Sequence, residues 1–401
     1  MDIFKLEEYK EKYHSRACIY GAGKRGTGVV YYLARGMGLN IISFCDKYVN
    51  WPIEKKTGIV ITTPEELKNL YEDCLVIVSI DGPRGQEILM QIKKEIPEAD
   101  VEQFDDSTIS EILNDISHSS IEIREKYKQI LDDKLWLNFL YQEIFGKDIN
   151  WESPKTFNEK LQWLKVYDRN PQYVDFVDKI SFKKYVVENY GEQYIVPTIG
   201  IYDSFDEIKF SELPMSFVIK CNHDSGGVKI IDDKHKANIA ELNYFFDKRI
   251  KLNYFWGARE WPYKEIKPQI VVEKYLGDTI TDYKVMCFGG EPKLIFTCTE
   301  RNSAAGLKVT FFDINWNKMN FERHYPSSTH AIQKPKHLDE MLDLAKDISR
   351  DIPFVRVDFY EIEDRIYFGE LTFYPGAGFE EFSPEEWDEK LGDMIVLSNV
   401  S

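Results

Sequence analysis

Over its first hundred residues the chain alternates strand-like and helix-like periods, and few arrangements accept that alternation. ACIYGAG (17–23) is an apolar run ending in a glycine turn, KRGTGVVYYLARG (24–36) reads as a helix, and NIISFCDK (40–47) as a second strand. GIVITTPEEL (58–67) supplies another strand and a helix start, CLVIVSIDG (74–82) a further strand, and QEILMQIKKEI (86–96) a helix. Successive strands separated by helices must lie parallel and crossed over, which predicts an α/β domain built on a parallel sheet. A polar helical stretch from about 107 to 140 changes the pattern. The expected division therefore falls there, giving a Rossmann-like domain at 1–115 and a second domain at 116–401. The second domain reads as mixed α+β, rich in Tyr and Trp.

A chain of 401 residues is long enough for two or three buried cores. Its net charge of −17 argues against a nucleic-acid surface, although a local site for an anionic ligand remains compatible with it. The N-terminal MDIFKLEEYKEKYH lacks the apolar core of a signal peptide, and no run reaches the length of a membrane span. Cysteines 18, 45, 74, 221, 287 and 298 sit in or beside apolar runs without metal-ligand spacing, so reduced thiols in a cytoplasmic protein are expected and zinc is not.

Gly21, Gly23 and Gly26 have the GxGxxG spacing between a strand and a helix, which brings backbone N–H groups toward a phosphate. Asp46 ends the next strand, where a carboxylate accepts hydrogen bonds from ribose hydroxyls. The ligand of this loop would be a nucleotide or nucleotide-sugar. The alternative is that the glycines serve only close helix–strand packing. No hydride-transfer residues accompany the loop.

The stretch FVRVDFYEIEDRIYFGEL (354–371) reads as a hairpin whose acids, Asp358 and Glu370, interrupt apolar strands. Side chains alternate faces, so a two-residue turn separates the acids and a three-residue loop, Glu363–Arg365, sets them opposite one another. Two carboxylates about 4 Å apart repel by roughly 4 kcal/mol at an effective dielectric near 20, so a cation must hold them. Arg356, on the same strand face, is one candidate.

SFVIKCNHDSGGVKII (216–231) is a second glycine loop: a strand ending near Lys220, a flexible tip of Asp224, Ser225, Gly226 and Gly227, and a returning strand. A lysine beside backbone N–H groups suits phosphate. His223 is read equally as a hydrogen-bonded loop residue or a substrate contact, while Trp163, Trp261 and Tyr263 read as packing.

This loop, VDKISFKKYVVENYGEQYIVPT before it, and IVVEKYLGD, DYKVMCF, CTERN and the acidic hairpin after it resemble the ATP-grasp superfamily over roughly 120–397. SPKTFNEKLQWLKVYDRNP (153–171), FVIKCNHDSGG, REWPYKEIKP (259–268) and VRVDFY…YFGELTFYP resemble its TupA-like branch, associated with teichuronopeptide and other surface-polymer synthesis. The resemblance implies an α+β ATP-grasp fold after the Rossmann-like domain. It makes Lys179 and Lys220 nucleotide-phosphate contacts, Glu273, Lys274 and Leu276 an adenine hinge, and Asp282 a ribose neighbour. Lys284 and Arg301 match basic positions near the transferred phosphate, and Asp358 and Glu370 become ligands of Mg2+ carried with ATP. Thr372 departs from the pattern, in which many members place an asparagine as a further ligand.

What the resemblance implies is a carboxylate–amine ligase working through an acyl phosphate in capsule or other polysaccharide biosynthesis. Lys179, Lys220 and the metal would hold the triphosphate, and Arg301 would stabilise the acyl phosphate. The acid would be a uronic acid or another glycan or amino-acid carboxylate, and the amine an amino acid or small amine. A sugar kinase on the same scaffold and a sugar-nucleotide-dependent glycosyltransferase are the rival readings, and a homo-oligomer is left open.

Overall fold

The structure, a computed structural model, describes residues 3–23, 25–48, 52–55, 57–105, 107–108, 133–277, 281–300 and 306–397. It divides into two compact units, Met1–Asp148 and Ile149–Ser401. The boundary is later than the 115/116 division read from sequence. Helix Asp133–Phe145 belongs to the first unit because Trp136 is buried in the same core as Leu6, Ile19, Ala34 and Phe44.

The first unit carries five parallel strands: β1 (Arg16–Tyr20), β2 (Asn40–Cys45), β3 (Ile61–Thr62), β4 (Leu75–Val78) and β5 (Val101–Gln103), in the order β3-β2-β1-β4-β5. β1 and β4 are buried on both faces. Ile19, Leu75 and Ile77 enter one core, and Cys18, Val76 and Val78 enter the other with Ile92 of helix Gly82–Glu95. Burial on both sides explains why these strands read as continuous apolar runs. The helix expected at 24–36 is not continuous: the backbone departs from helical geometry at Gly28, leaving a regular helix only from Tyr31 to Gly36.

The second unit holds two antiparallel sheets. One has the order β6-β9-β7-β8, from β6 (Thr198–Tyr202), β7 (Phe217–Cys221), β8 (Val228–Ile231) and β9 (Ile270–Lys274). Alternation sends Phe217, Ile219, Cys221, Ile270 and Val272 into a core with Leu242 and Phe246 of helix Ile239–Ile250. Lys220, Val271 and Glu273 therefore lie on the other face.

The larger sheet has the order β12-β11-β10-β14-β15, from β10 (Thr281–Phe288), β11 (Glu291–Thr299), β12 (Lys308–Asp313), β14 (Phe354–Ile362) and β15 (Arg365–Thr372). A short pair, β13 (Glu322–Arg323) and β16 (Phe382–Ser383), stands beside it. Val285, Cys287, Val355, Val357 and Phe359 form the core face with Leu338, Met341, Ala345 and Ile348 of helix Leu338–Ile348. Asp282, Lys284, Arg356 and Asp358 take the opposite face by the same alternation. No helix among the described residues is long and apolar enough to cross a membrane.

Candidate active site

β14 and β15 are joined by two residues, Glu363 and Asp364, both left-handed (φ 47° and 67°), with Ile362 paired to Arg365. This is the tight turn whose twist matches a hairpin. It corrects the expectation of an odd-length loop, and by itself would separate the two acids. They meet because the register shifts: Phe359 pairs with Phe368 but Val357 with Leu371, so Asp358 stands opposite both Gly369 and Glu370. That bulge returns Glu370 to the face of Asp358.

Arg356 holds both acids. Its Nε donates to Asp358 Oδ1 at 2.6 Å, and its Nη2 to Asp358 Oδ2 at 2.6 Å and Glu370 Oε1 at 3.3 Å. Lys284, paired across the strands with Asp358, donates to its Oδ2 and lies 2.7 Å from Asp282 Oδ2. Burial opposes the charge on Asp358, but Arg356 and Lys284 outweigh it and hold its carboxyl below the usual range. Burial raises the Asp282 carboxyl despite Lys284. Lys284, expected near the transferred phosphate, is thus shared between Asp282, expected near a ribose, and Asp358.

Three carboxylates against two cations leave one negative charge, and Asp282 Oδ1 is buried without a hydrogen-bond partner. Among the described residues no three His, Cys, Asp or Glu side chains form a metal cage on their own. Hard carboxylate oxygens with surplus negative charge are the donor type that Mg2+ takes, with water and phosphate filling much of its shell.

On the smaller sheet, the buried Glu273 carboxylate bridges two lysines. Lys220 Nζ is 2.7 Å from Oε2, and Lys183 Nζ contacts Oε1 and also donates to Val196 O at 2.8 Å. Burial raises the cost of the Glu273 charge, but the two ammonium groups keep its carboxyl below the usual range. Lys183 itself is pushed down to about 8, mainly by burial. Sequence reading missed Lys183, although it lies four residues after Lys179 on helix Lys179–Asn189, hence on the same face. An apolar-walled cavity of about 280 Å³ adjoins it, lined by Ile180, Val187, Thr198, Ile201 and Val271. Lys274 is exposed and Leu276 half-buried at the end of the same strand.

The loop between β7 and β8 is stitched from inside. Asn222 donates to Asp178 Oδ1 and Lys267 O and accepts from Gln269 N. His223 Nε2 lies 3.1 Å from Leu252 O, which makes it a hydrogen-bonded loop residue. Arg249 binds Asp224 Oδ2 at 2.6 Å and Ser225 O at 2.7 Å. Gly226 is left-handed (φ 80°), and a Cβ on Gly227 would fall 2.5 Å from the Asp224 carboxylate. Lys179 Nζ donates to Asp224 O at 2.5 Å, and burial pushes its ammonium group down against the opposing charge of Glu370. The loop meets helix Lys179–Asn189 at Lys179, and the same helix packs on the acidic hairpin through Phe182 and Phe368 (5.9 Å). Arg301 lies outside the described residues.

Two further buried groups escaped the sequence reading. Arg323 lies over Phe296 (4.6 Å), on the sheet face of Lys284 and Arg356, and its Nε and Nη1 have no hydrogen-bond partner although Nη1 is 3.0 Å from Glu380 Oε2. Lys165 is buried and donates to Gln162 Oε1 (2.9 Å) and Ala377 O (2.7 Å), with the buried Glu260 as its opposite charge.

In the first unit, Gly21 is left-handed (φ 110°), and a Cβ on Gly26 would sit 1.7 Å from Gly21 O. Gly23 has open space around it. Asp46 accepts from Ala22 N (3.0 Å) and Tyr48 N (3.1 Å), so its carboxylate braces the glycine loop.

No curated protein matches the chain. Among solved structures it is similar to D-alanine–D-alanine ligase from Bacillus anthracis (16% identity, 95% of each chain, TM-score 0.33). It is also similar to N5-carboxyaminoimidazole synthase from Aspergillus clavatus (11%, 89% of this chain and 69% of that one, TM-score 0.29) and L-amino acid ligase from Bacillus licheniformis (11%, 90% and 69%, TM-score 0.31). Likenesses of that size carry no argument about chemistry. The family model described as TupA-like ATPgrasp, however, matches residues 159–396, more than half of the chain, and the chain belongs to that family.

Proposed function

We propose that the protein is an ATP-dependent carboxylate–amine ligase, forming an amide through an acyl phosphate on a uronic acid or other carboxylate of a bacterial surface polysaccharide. The observation that carries this reading is the convergence on the helix that begins at Lys179. Its ammonium group donates to Asp224 O in the glycine loop, and its helix packs on the acidic hairpin through Phe182 and Phe368, whose rings lie 5.9 Å apart. A triphosphate laid there would meet Lys179 and Lys220, the N–H groups of Ser225, Gly226 and Gly227, and the Glu370 end of the larger sheet. Asp358 and Glu370 would hold Mg2+, which when bound neutralises the phosphate charge. The apolar cavity beside Lys183, with Glu273, Lys274 and Leu276, suits a nucleobase.

The chain's own part is positioning and electrostatics. Arg356 and Lys284 fix Asp358 in one orientation, and Lys183 shares Glu273 with Lys220 so that the Lys220 ammonium group is pre-set. The under-bonded Arg323 offers N–H groups to a carboxylate on the same face, and Arg301 remains the proposed acyl-phosphate contact. Gly21, Gly23, Gly26 and Asp46 would bind a nucleotide or nucleotide-sugar in a Rossmann-like first unit, whose strand order supports the reading.

The test is ADP release by the purified chain with Mg-ATP and a set of uronic acids, each with and without amino acids or ethanolamine. A ligase releases ADP in proportion to amide formed. Phosphorylated sugar accumulating without an amine identifies a kinase and overturns the proposal.

A further inference from the structure

Glu260 lies just after Arg259, a non-glycine residue held left-handed (φ 58°), whose guanidinium covers the Trp256 ring at 4.9 Å. Such backbone costs about 1–3 kcal/mol and persists only where the surroundings enforce it. The next residue, Glu260, is only 5% exposed. There its carboxylate makes no hydrogen bond or ion pair with any described residue. An ionised carboxylate so placed is several kcal/mol worse off than in water unless a cation completes it.

Lys165 does not complete it. Its ammonium group is committed to Gln162 Oε1 and Ala377 O, with Tyr374 and Phe379 rings at 5.7 and 5.0 Å. The neighbouring residues are aromatic: Tyr254 lies edge-on to Tyr263 (4.9 Å), and Trp261, next in the chain to Glu260, leads through Tyr173 (6.0 Å) to Phe373 (4.2 Å), three residues beyond Glu370. The charges of Lys165 and Glu370 reach Glu260, and its own charge is felt by Tyr254, Tyr263 and Tyr374. An unpaired carboxylate in an aromatic enclosure is complementary to an ammonium group.

We propose that Glu260 is the receiving group for the amine substrate, binding its ammonium form beside the acyl phosphate. This rests on the ligase reading above. The amine nitrogen sheds two protons as it becomes an amide. Glu260 takes the first, freeing the lone pair that forms the C–N bond. The acyl C–O bond breaks toward phosphate, which leaves with that electron pair and carries the second proton.

Hydroxylamine, uncharged at neutral pH, captures an acyl phosphate without needing an ammonium site. Wild type and E260Q would each be given Mg-ATP and the uronic acids, with either hydroxylamine or the amino-acid and ethanolamine set. The expected result is hydroxamate within about twofold of wild type but amide reduced by about 100-fold, because one partner of a buried charge pair is gone. Equal loss of both products in an E260Q protein that still binds Mg-ATP overturns the inference, as does loss of neither. Should E260Q fail to bind Mg-ATP, E260D replaces it: its shortened carboxylate should raise the KM for the amine and spare hydroxamate, and an unchanged KM overturns the inference. Hydroxamate absent from wild type with every acid refutes the ligase reading itself, and the subsite with it.

Discussion

Asp358 and Glu370 share the guanidinium of Arg356 because Asp358 faces two residues of β15 rather than one. The two-residue turn alone would have left Glu370 on the core face. The bulge at Gly369–Glu370 reverses that parity. A Cβ on Gly369 would meet the Tyr360 ring at 3.1–3.2 Å, so the bulge is packed against its own hairpin. Deleting Gly369 should restore regular pairing and set Glu370 directly opposite Asp358, on the same face, because Val357 already pairs with Leu371. Nucleotide-dependent stabilisation should therefore persist in thermal melts, and its loss would show that sharing a face is not what the two acids need. Gly369→Ala should cost only about 1 kcal/mol and keep that stabilisation.

The two acids differ in what they do without nucleotide. Asp358 is sealed and carries Arg356 and Lys284, whereas the Glu370 side chain is 42% exposed and makes one long contact. Asp358→Asn breaks a buried network and should cost about 3–5 kcal/mol in the apo protein. Glu370→Gln should change apo stability by no more than about 1 kcal/mol. Both should abolish turnover. Melts of both variants, with and without Mg-ATP, check the contrast, and a strongly destabilised apo Glu370→Gln would refute the ligand role proposed for it.

Glu273 is shared, so its two lysines are not independent. Lys220→Ala should abolish ATP turnover. Lys183→Ala should leave the whole Glu273 charge on Lys220, damping its attraction for phosphate and weakening nucleotide binding by about tenfold, or 1.4 kcal/mol. Calorimetric titration with Mg-ATP tests both.

These examples show what sequence could disclose. Both sheets, the glycine loop and the acids at 358 and 370 were legible because strand period and glycine spacing are local signals. The bulge was not, since a register shift leaves no mark on the period of either strand. Lys183 was accessible from its four-residue offset to Lys179. Lys165 and Glu260 were not, because they are some 95 positions apart in the chain and only tertiary packing makes them opposite charges in one enclosure. Lys284 and Asp282 were assigned separate partners, yet Lys284, opposite Asp358 on β14, binds both acids.

Lys165 and Glu260 also give stability a dependence on pH. Burial pushes the Lys165 ammonium down to about 7 and the Glu260 carboxyl up to about 7. From the ordinary carboxylate range up to neutrality the folded state holds the Glu260 proton that the unfolded chain has released, so stability falls as pH rises. From neutrality toward the ordinary lysine range the unfolded chain binds the extra proton on Lys165, so stability rises again. Chemical denaturation should therefore show a shallow minimum near neutrality, on the order of 1–3 kcal/mol deep. K165M/E260Q should lack it.

The glycine loop of the first unit offers a separation between packing and binding. Gly26 is there for packing: any Cβ would collide with Gly21 O, and backbone cannot swing aside as a side chain can. Gly26→Ala should lower the melting temperature of the first unit, whether or not anything binds there. Gly23 faces open space, so Gly23→Ala should leave stability within about 0.5 kcal/mol. If the loop admits a phosphate, however, the added methyl occupies the space through which it approaches, and binding should suffer. UDP, UDP-glucuronate and ATP, titrated into wild type and Gly23→Ala with the second unit's site disabled by Lys220→Ala, measure this directly. Binding to wild type that Gly23→Ala weakens assigns the ligand to the loop. Equal binding to both assigns the glycines to helix–strand packing alone.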